Sequence, residues 1–404
     1  MAYTETTRTS YGQRVGNSFK GIGGGILLFI AGTILLWWNE GRAVKTTKML
    51  NEAQKVCIEM PNPDKIDPAM EGELVCATAF ATTQDSLIDK QFNFGATAIA
   101  LKRNVQYYQW VEHSETETKD KIGGAQETTT TYTYSKEWVS SPINSSEFKD
   151  PDYKNVNSVL TTIQPEEQWA ENVSFGAYKL NESLIHQITS GEAVELNIDE
   201  EILKALDKSL ARTGKKDSLS YVHQEGSTLY IGRNSSSPEV GDVQVYWLKT
   251  VPAKATIISV VDGDTFKAFK AKNGKTFQTL VMGKKSADEI FESEHQGNKI
   301  LTWILRILGI MLVVGGLKRV FNFLETLLKV LPFLANILGW GVGVVCTVVG
   351  VVWSLIVIAL AWLFYRPVLG IALLVVAAGL IWFFASRGKG KKAAQVETPA
   401  PPKE

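Results

Sequence analysis

The chain has 404 residues, with 42 basic and 42 acidic side chains and no net charge when its four His are neutral. That balance hides two unlike parts. Residues 39–299 hold 29 Lys/Arg against 38 Asp/Glu, while both flanks are basic. An acidic middle lacks the basic footprint of a nucleic-acid binder, so nucleic acid is not expected as a partner.

Taken in chain order, residues 1–18 are polar and rich in Thr and Arg, and read as a disordered cytoplasmic segment. An apolar run follows over 21–38, inside a first predicted span at 19–38. It ends in Trp37-Trp38-Asn39-Glu40, an aromatic belt with a polar edge, which favours an uncleaved anchor over a signal peptide. Gly21 and Gly25 have the small-xxx-small spacing that lets helices approach closely.

The large middle part, 39–299, reads as β-rich α+β. A short apolar strand is expected near 71–81. A long hairpin is expected from 97–113 and 128–139, with a charged, mobile tip at 114–127. The stretch 165–188 shows a broken helical pattern. Residues 199–212 form an amphipathic helix with Ile202, Leu203, Leu206 and Leu210 on one face, and acidic residues at its start suit the helix dipole. Strands return at 228–232, 244–249 and 256–261, and Asn273-Gly274 marks a second hairpin. Ser286-Ala287-Asp288-Glu289 is a capping box, opening a helix that runs towards the second span. Cys57 and Cys76 leave two possibilities open, a disulfide or two buried thiols.

Three further apolar runs crowd the C-terminal quarter. Spans are expected at 300–317, 337–364 and 367–385, because crossing hydrocarbon takes about 20 mostly apolar residues. Residues 318–336 form a connecting loop with an interfacial or re-entrant helix, and 386–404 a basic disordered tail. The fold class is therefore a membrane protein with four transmembrane helices, one N-terminal and three C-terminal, around a large β-rich α+β extramembrane domain. Basic residues in short loops place both termini in the cytoplasm and the domain on the other side, in periplasm or lumen.

The site candidates are structural rather than catalytic. Arg306 sits about two turns inside the second span; snorkelling or pairing with an interfacial acid is favoured over lining a pore. Glu40 and Arg42 mark one membrane junction, Arg366 and Pro367 another, and Gly339 and Gly343 repeat the GxxxG spacing. No His pairing, CxxC, phosphate loop or nucleophile motif is present, so no catalytic residue, cofactor or metal ligand is assigned. Asp262-Gly263-Asp264 reads as a β-turn sooner than as a cation site.

Several strings resemble the LUMA, or transmembrane protein 43, family. They include Asn39-Glu40-Gly41-Arg42-Ala43-Val44-Lys45-Thr46, Glu71-Gly72-Glu73-Leu74-Val75 and Tyr108-Gln109-Trp110-Val111-Glu112. Pro238-Glu239-Val240-Gly241-Asp242, Thr302-Trp303 and Trp362-Leu363-Phe364-Tyr365-Arg366-Pro367 continue the match in the same order. The resemblance implies a four-span protein with a large lumenal domain. In animals the family is placed in the endoplasmic reticulum and inner nuclear membrane, self-associating and organising complexes that include emerin and lamins. It supplies no catalytic residues. A bacterial member would lack emerin and lamins, and its domain would be periplasmic in an inner-membrane protein. The expected partners are the lipid bilayer, copies of itself and other membrane proteins. The leading expectation is a non-enzymatic scaffold, and the rivals are a channel or transporter and a sensor that relays outer-domain binding.

Overall fold

A computed structural model describes residues 3–155, 163–211, 222–328, 332–368 and 371. The elements in order are β1 (Tyr3–Thr9), α1 (Tyr11–Val56), β2 (Ile58–Glu59), β3 (Leu74–Thr83), β4 (Ser86–Asp89), β5 (Phe94–Thr97), β6 (Ala100–Asp120) and β7 (Gln126–Val139). Next come β8 (Glu166–Trp169), β9 (Val173–Phe175), β10 (Tyr178–Lys179), α2 (Glu182–Ile185), β11 (Gly191–Ala193) and α3 (Glu200–Ala211). Then follow β12 (Val222–Glu225), β13 (Thr228–Ile231), β14 (Val243–Thr250), β15 (Ala253–Asp262), β16 (Thr265–Lys267), β17 (Phe269–Lys270), β18 (Thr276–Phe277) and β19 (Thr279–Met282). Two long helices close the described part, α4 (Ala287–Leu328) and α5 (Pro332–Tyr365).

The chain divides into two units. The first comprises residues 1–9, 49–119 and 126–295, and the second residues 10–48, 120–125 and 296–404. The first unit is the β-rich α+β part. One sheet runs β1-β7-β6-β14-β13-β12, and a second runs β10-β9-β3-β15-β16. Period-2 alternation explains the second sheet's two faces. Val75, Ala77, Ala79 and Ala81 of β3 turn to one core with Ile257 of β15 and Tyr178. Leu74 and Cys76 turn to another, where Met49, Leu50 and Ala53 of α1 and Ile290 and Phe291 of α4 pack. In the first sheet Tyr107, Val245 and Trp247 are fully buried, and Ile202, Leu203 and Leu206 of α3 pack on their cluster.

The second unit is helical. Three helices are long and apolar enough to cross a membrane: Tyr11–Val56, Ala287–Leu327 and Gly341–Tyr365. The expected fourth span, 367–385, and the tail, 386–404, lie almost wholly outside the described residues. The capping box forms as read. Ser286 Oγ accepts from Glu289 N at 3.3 Å, and Glu289 Oε2 from Ser286 N at 2.9 Å. The helix it opens continues unbroken past Gly297.

Four expectations need correction. Residues 3–18, within the segment 1–18 expected to be disordered, are ordered: β1 pairs with β7 from Tyr3↔Tyr132 to Thr9↔Gln126, and α1 starts at Tyr11. That partner strand also orders most of the hairpin tip, leaving only 121–125 between β6 and β7. The stretch 165–188 holds short strands, with one four-residue helix capped by Asn181. Finally, 321–328 is no separate interfacial helix. It is the end of α4, held by α1 through Ser18 Oγ to Thr326 Oγ1 at 2.8 Å, Tyr11 Oη to the Leu327 carbonyl at 2.9 Å, and Phe19 against Phe323.

Candidate functional site

Just beyond its apolar run, α1 presents Asn39, Glu40 and Arg42, and α4 presents Asn298, Thr302 and Arg306 at four-residue intervals, hence on one helical face. Asn39 Nδ2 donates to the Thr302 carbonyl at 2.9 Å. Arg42 donates from Nη1 to Asn298 Oδ1 at 3.0 Å and from Nη2 to Thr302 Oγ1 at 2.9 Å, and it holds Asn39 Oδ1 through Nε and Nη2. Asn298 Nδ2 returns to the Ala43 carbonyl at 3.1 Å.

One turn along α4 the contact becomes an ion pair. Arg306 donates from Nε to Glu40 Oε1 at 2.6 Å and from Nη2 to Glu40 Oε2 at 2.9 Å. Trp362 of α5 adds its indole N–H to Oε2 at 2.8 Å. The guanidinium also lies over the rings of Trp303, 4.8 Å from its centroid, and Trp362, at 5.6 Å. The Glu40 side chain is 1% exposed and that of Arg306 14%. This fork-on-fork geometry is the strong form of the interaction, and it draws α1, α4 and α5 to one level. Gly41 completes the junction, since a Cβ there would stand 2.6 Å from the Tyr365 ring.

The opposite end of α1 carries a second charged contact. Arg14 Nη1 meets Asp120 Oδ1 at 2.8 Å and donates to the Gly124 carbonyl at 2.9 Å. Between the two ends runs a seam of glycines. A Cβ on Gly25 would lie 2.8 Å from the Gly316 carbonyl oxygen, and one on Gly32 equally close to that of Gly309. Small residues allow this backbone approach, which builds helix contact where lipid offers no hydrophobic drive.

The structure thus brings Glu40, Arg42 and Arg306 to one α1–α4 contact as two adjacent clusters, and Arg306 pairs with Glu40. Arg366 follows the last turn of α5, its backbone N–H reaching the Trp362 carbonyl at 2.7 Å, with Pro367 exposed beyond it. Gly339 and Gly343 fall in α5 away from this level, and open space surrounds Gly343. Sequence reasoning missed Asn298, Thr302 and Trp362 as partners. The regular Asn298, Thr302, Arg306 spacing was the available signal. In the β unit, Asp262-Gly263-Asp264 is the β15–β16 turn, with Lys267 on Asp262 and Lys179 on Asp264. Among the described residues no group of His, Cys, Asp and Glu is placed to hold a metal ion. Cys57 and Cys76 are free thiols.

A β-rich α+β unit and a helical unit of three long apolar helices joined by a buried ion pair define an integral membrane protein. The model of the family "Transmembrane protein 43" matches residues 107–367, and the chain belongs to that family. Transmembrane protein 43 of Homo sapiens is 29% identical over 391 residues, covering 93% of this chain and 91% of the relative. That of Mus musculus is 28% identical over 374 residues, covering 90% and 89%. The Drosophila melanogaster homolog is 26% identical over 367 residues, covering 89% and 93%. No solved structure gives a significant match.

Proposed function

We propose that the chain is a non-enzymatic multi-pass membrane scaffold that associates with itself and organises other membrane proteins. Both termini are cytoplasmic in this reading, and the β unit is periplasmic in a bacterial host or lumenal in a eukaryotic one. Emerin and lamins are partners only in the eukaryotic case. The observation that carries the reading is the double occupancy of Glu40. Arg306 takes both of its oxygens and Trp362 one of them again, so the ionisable pair is committed to joining helices. Charged groups on a transport path need free coordination capacity or water access, and this carboxylate is 1% exposed.

Of the glycine pairs first expected to join copies, Gly25 is spent inside the chain against Gly316, while Gly343 faces open space. The test is mass measurement and crosslinking of the full chain in mild detergent. Discrete oligomers support the proposal. A strict monomer without partners overturns it, as does ion flux in liposomes that vanishes in Arg306→Ala.

A further inference from the structure

At the α1 N-terminal end of the bundle, α4 and α5 leave a recess of about 380 Å³ lined by Lys318, Arg319, Asn322, Glu325, Val342 and Gly343. Lys318, Asn322 and Glu325 are spaced i, i+4 and i+7 and so share one face of α4. Arg319 stands beside them with its guanidinium laid on Gly24 of α1, where a Cβ would be 3.5 Å away. Among the described residues neither Lys318 nor Arg319 has an ion-pair partner. A second recess of about 370 Å³ shares Lys318 and Gly343 with it and is otherwise walled by Val344, Thr347 and Val348. Gly343 leaves space at this shared wall, since beyond its own helix nothing lies within 4 Å of where its Cβ would be.

A charged recess beside an apolar groove that shares its wall suits a lipid, with headgroup in the first and acyl chain in the second. Its level suits this as well, because Lys318 is the first charge after the apolar run 300–317. Basic pockets between transmembrane helices at this level hold lipid headgroups. The charges set the class: two cations and one carboxylate leave one net positive charge, matching a phosphodiester with a single negative charge.

We propose that this recess binds a membrane phospholipid, with Lys318 and Arg319 holding the phosphate, Asn322 donating to it, and one acyl chain lying along Val344 and Val348. Two Gly-bearing helix faces, at Gly24 and Gly343, provide the room. The site stands whether or not copies of the chain associate, because all of its described lining comes from one bundle.

The experiment is native mass spectrometry of the full chain in detergent, titrated with dioleoyl phosphatidylglycerol and, in parallel, with dioleoylglycerol, which lacks the phosphate. Phosphatidylglycerol should bind at least roughly tenfold tighter. Lys318→Gln with Arg319→Gln should bring its affinity down to that of dioleoylglycerol. Arg319 packs on α1, so a second variant guards against misfolding. Val348→Trp fills the apolar groove from its exposed side and leaves both charges in place. It should also lose the lipid while melting at the wild-type temperature. Equal binding of the two lipids, or phosphatidylglycerol affinity retained in both variants, overturns the site. Displacement of the lipid by inorganic phosphate alone would make it a free-phosphate site and overturn the proposal too.

Discussion

Among the described residues each unit of this chain contains an arginine–carboxylate pair with its acid almost fully buried, and these two pairs are assembled from the same three parts. In the β unit Arg103 Nη1 meets both oxygens of Asp89 at 2.7 Å, Trp247 donates its indole N–H to Asp89 at 2.9 Å, and the guanidinium faces the Phe92 ring. In the helical unit Arg306, Glu40 and Trp362 repeat the arrangement. They differ in what surrounds them. Arg103 also donates to the Gln164 carbonyl and meets Glu166, and Asp89 accepts from the backbone of Gln91 and Phe92. Among the described residues the Glu40 carboxylate accepts from Arg306 and Trp362, both by side chains. The β unit satisfies its pair from a web of backbone and loops, whereas the bundle has side chains alone, because helical backbone is already paired with itself.

That contrast ranks the substitutions. Arg103→Ala should cost most, about 5 kcal/mol, because it strands Asp89 with its side chain 3% exposed. Thermal melting of the full chain should show the β unit failing first, and exchange of both partners for apolar residues of like volume should restore much of the loss. A change under 1 kcal/mol would mean the pair carries nothing. Arg306→Ala should cost less, about 3 kcal/mol, because the guanidinium keeps some exposure that can hydrate Glu40 after the loss. Glu40→Gln with Arg306→Ala should recover part of it. If the double variant melts lower than Arg306→Ala alone, the stranded charge is not the cause.

The glycine seam comes next. Gly316→Val places a Cβ 2.6 Å from the Phe29 amide nitrogen, and backbone cannot move as a flexible side chain does. A cost of about 1–3 kcal/mol is expected from overpacking, with loosened α1–α4 packing seen by cysteine crosslinking between the helices. Gly343→Ala, in open space, should change melting by less than about 0.5 kcal/mol. Equal effects at the two positions would remove the seam as a structural element.

What was legible follows from how local each signal is. The first three spans, the capping box, the strands β3, β14 and β15 and the helix α3 were read from periodicity and caps, which act within a dozen residues. Pairing with an acid was one of two readings of Arg306, beside snorkelling, since a charge at that depth needs a partner or water. The particular partner was not, because 266 positions separate Glu40 from Arg306 and no local pattern joins them. The order in residues 3–9 was invisible for the same reason. Thr-rich sequence reads as solvated until another Thr-rich strand, 126–132, is set beside it. The run 321–328 was misread because an apolar helical face suits lipid and a second helix equally well.

The smallest expected effect concerns the two thiols of the β unit. Burial first, and Glu59 nearby, push Cys57 and Cys76 from 9.0 up to about 12. A group whose folded value is raised holds its proton more tightly in the fold than in the unfolded chain. Its contribution to stability is therefore complete below about pH 9 and drains away as the pH rises towards 12. Wild type should lose more melting temperature between pH 8 and pH 11 than Cys57→Ala with Cys76→Ala, which lacks both thiols. The same protonation predicts slow alkylation, since the thiolate is the nucleophile. Iodoacetamide at pH 8 should label the folded chain only on the timescale of its unfolding. Rapid, complete labelling of either residue in the folded protein would show that its thiol is neither buried nor raised, and would break the likeness between the β unit's closed core and the sealed pair in the bundle.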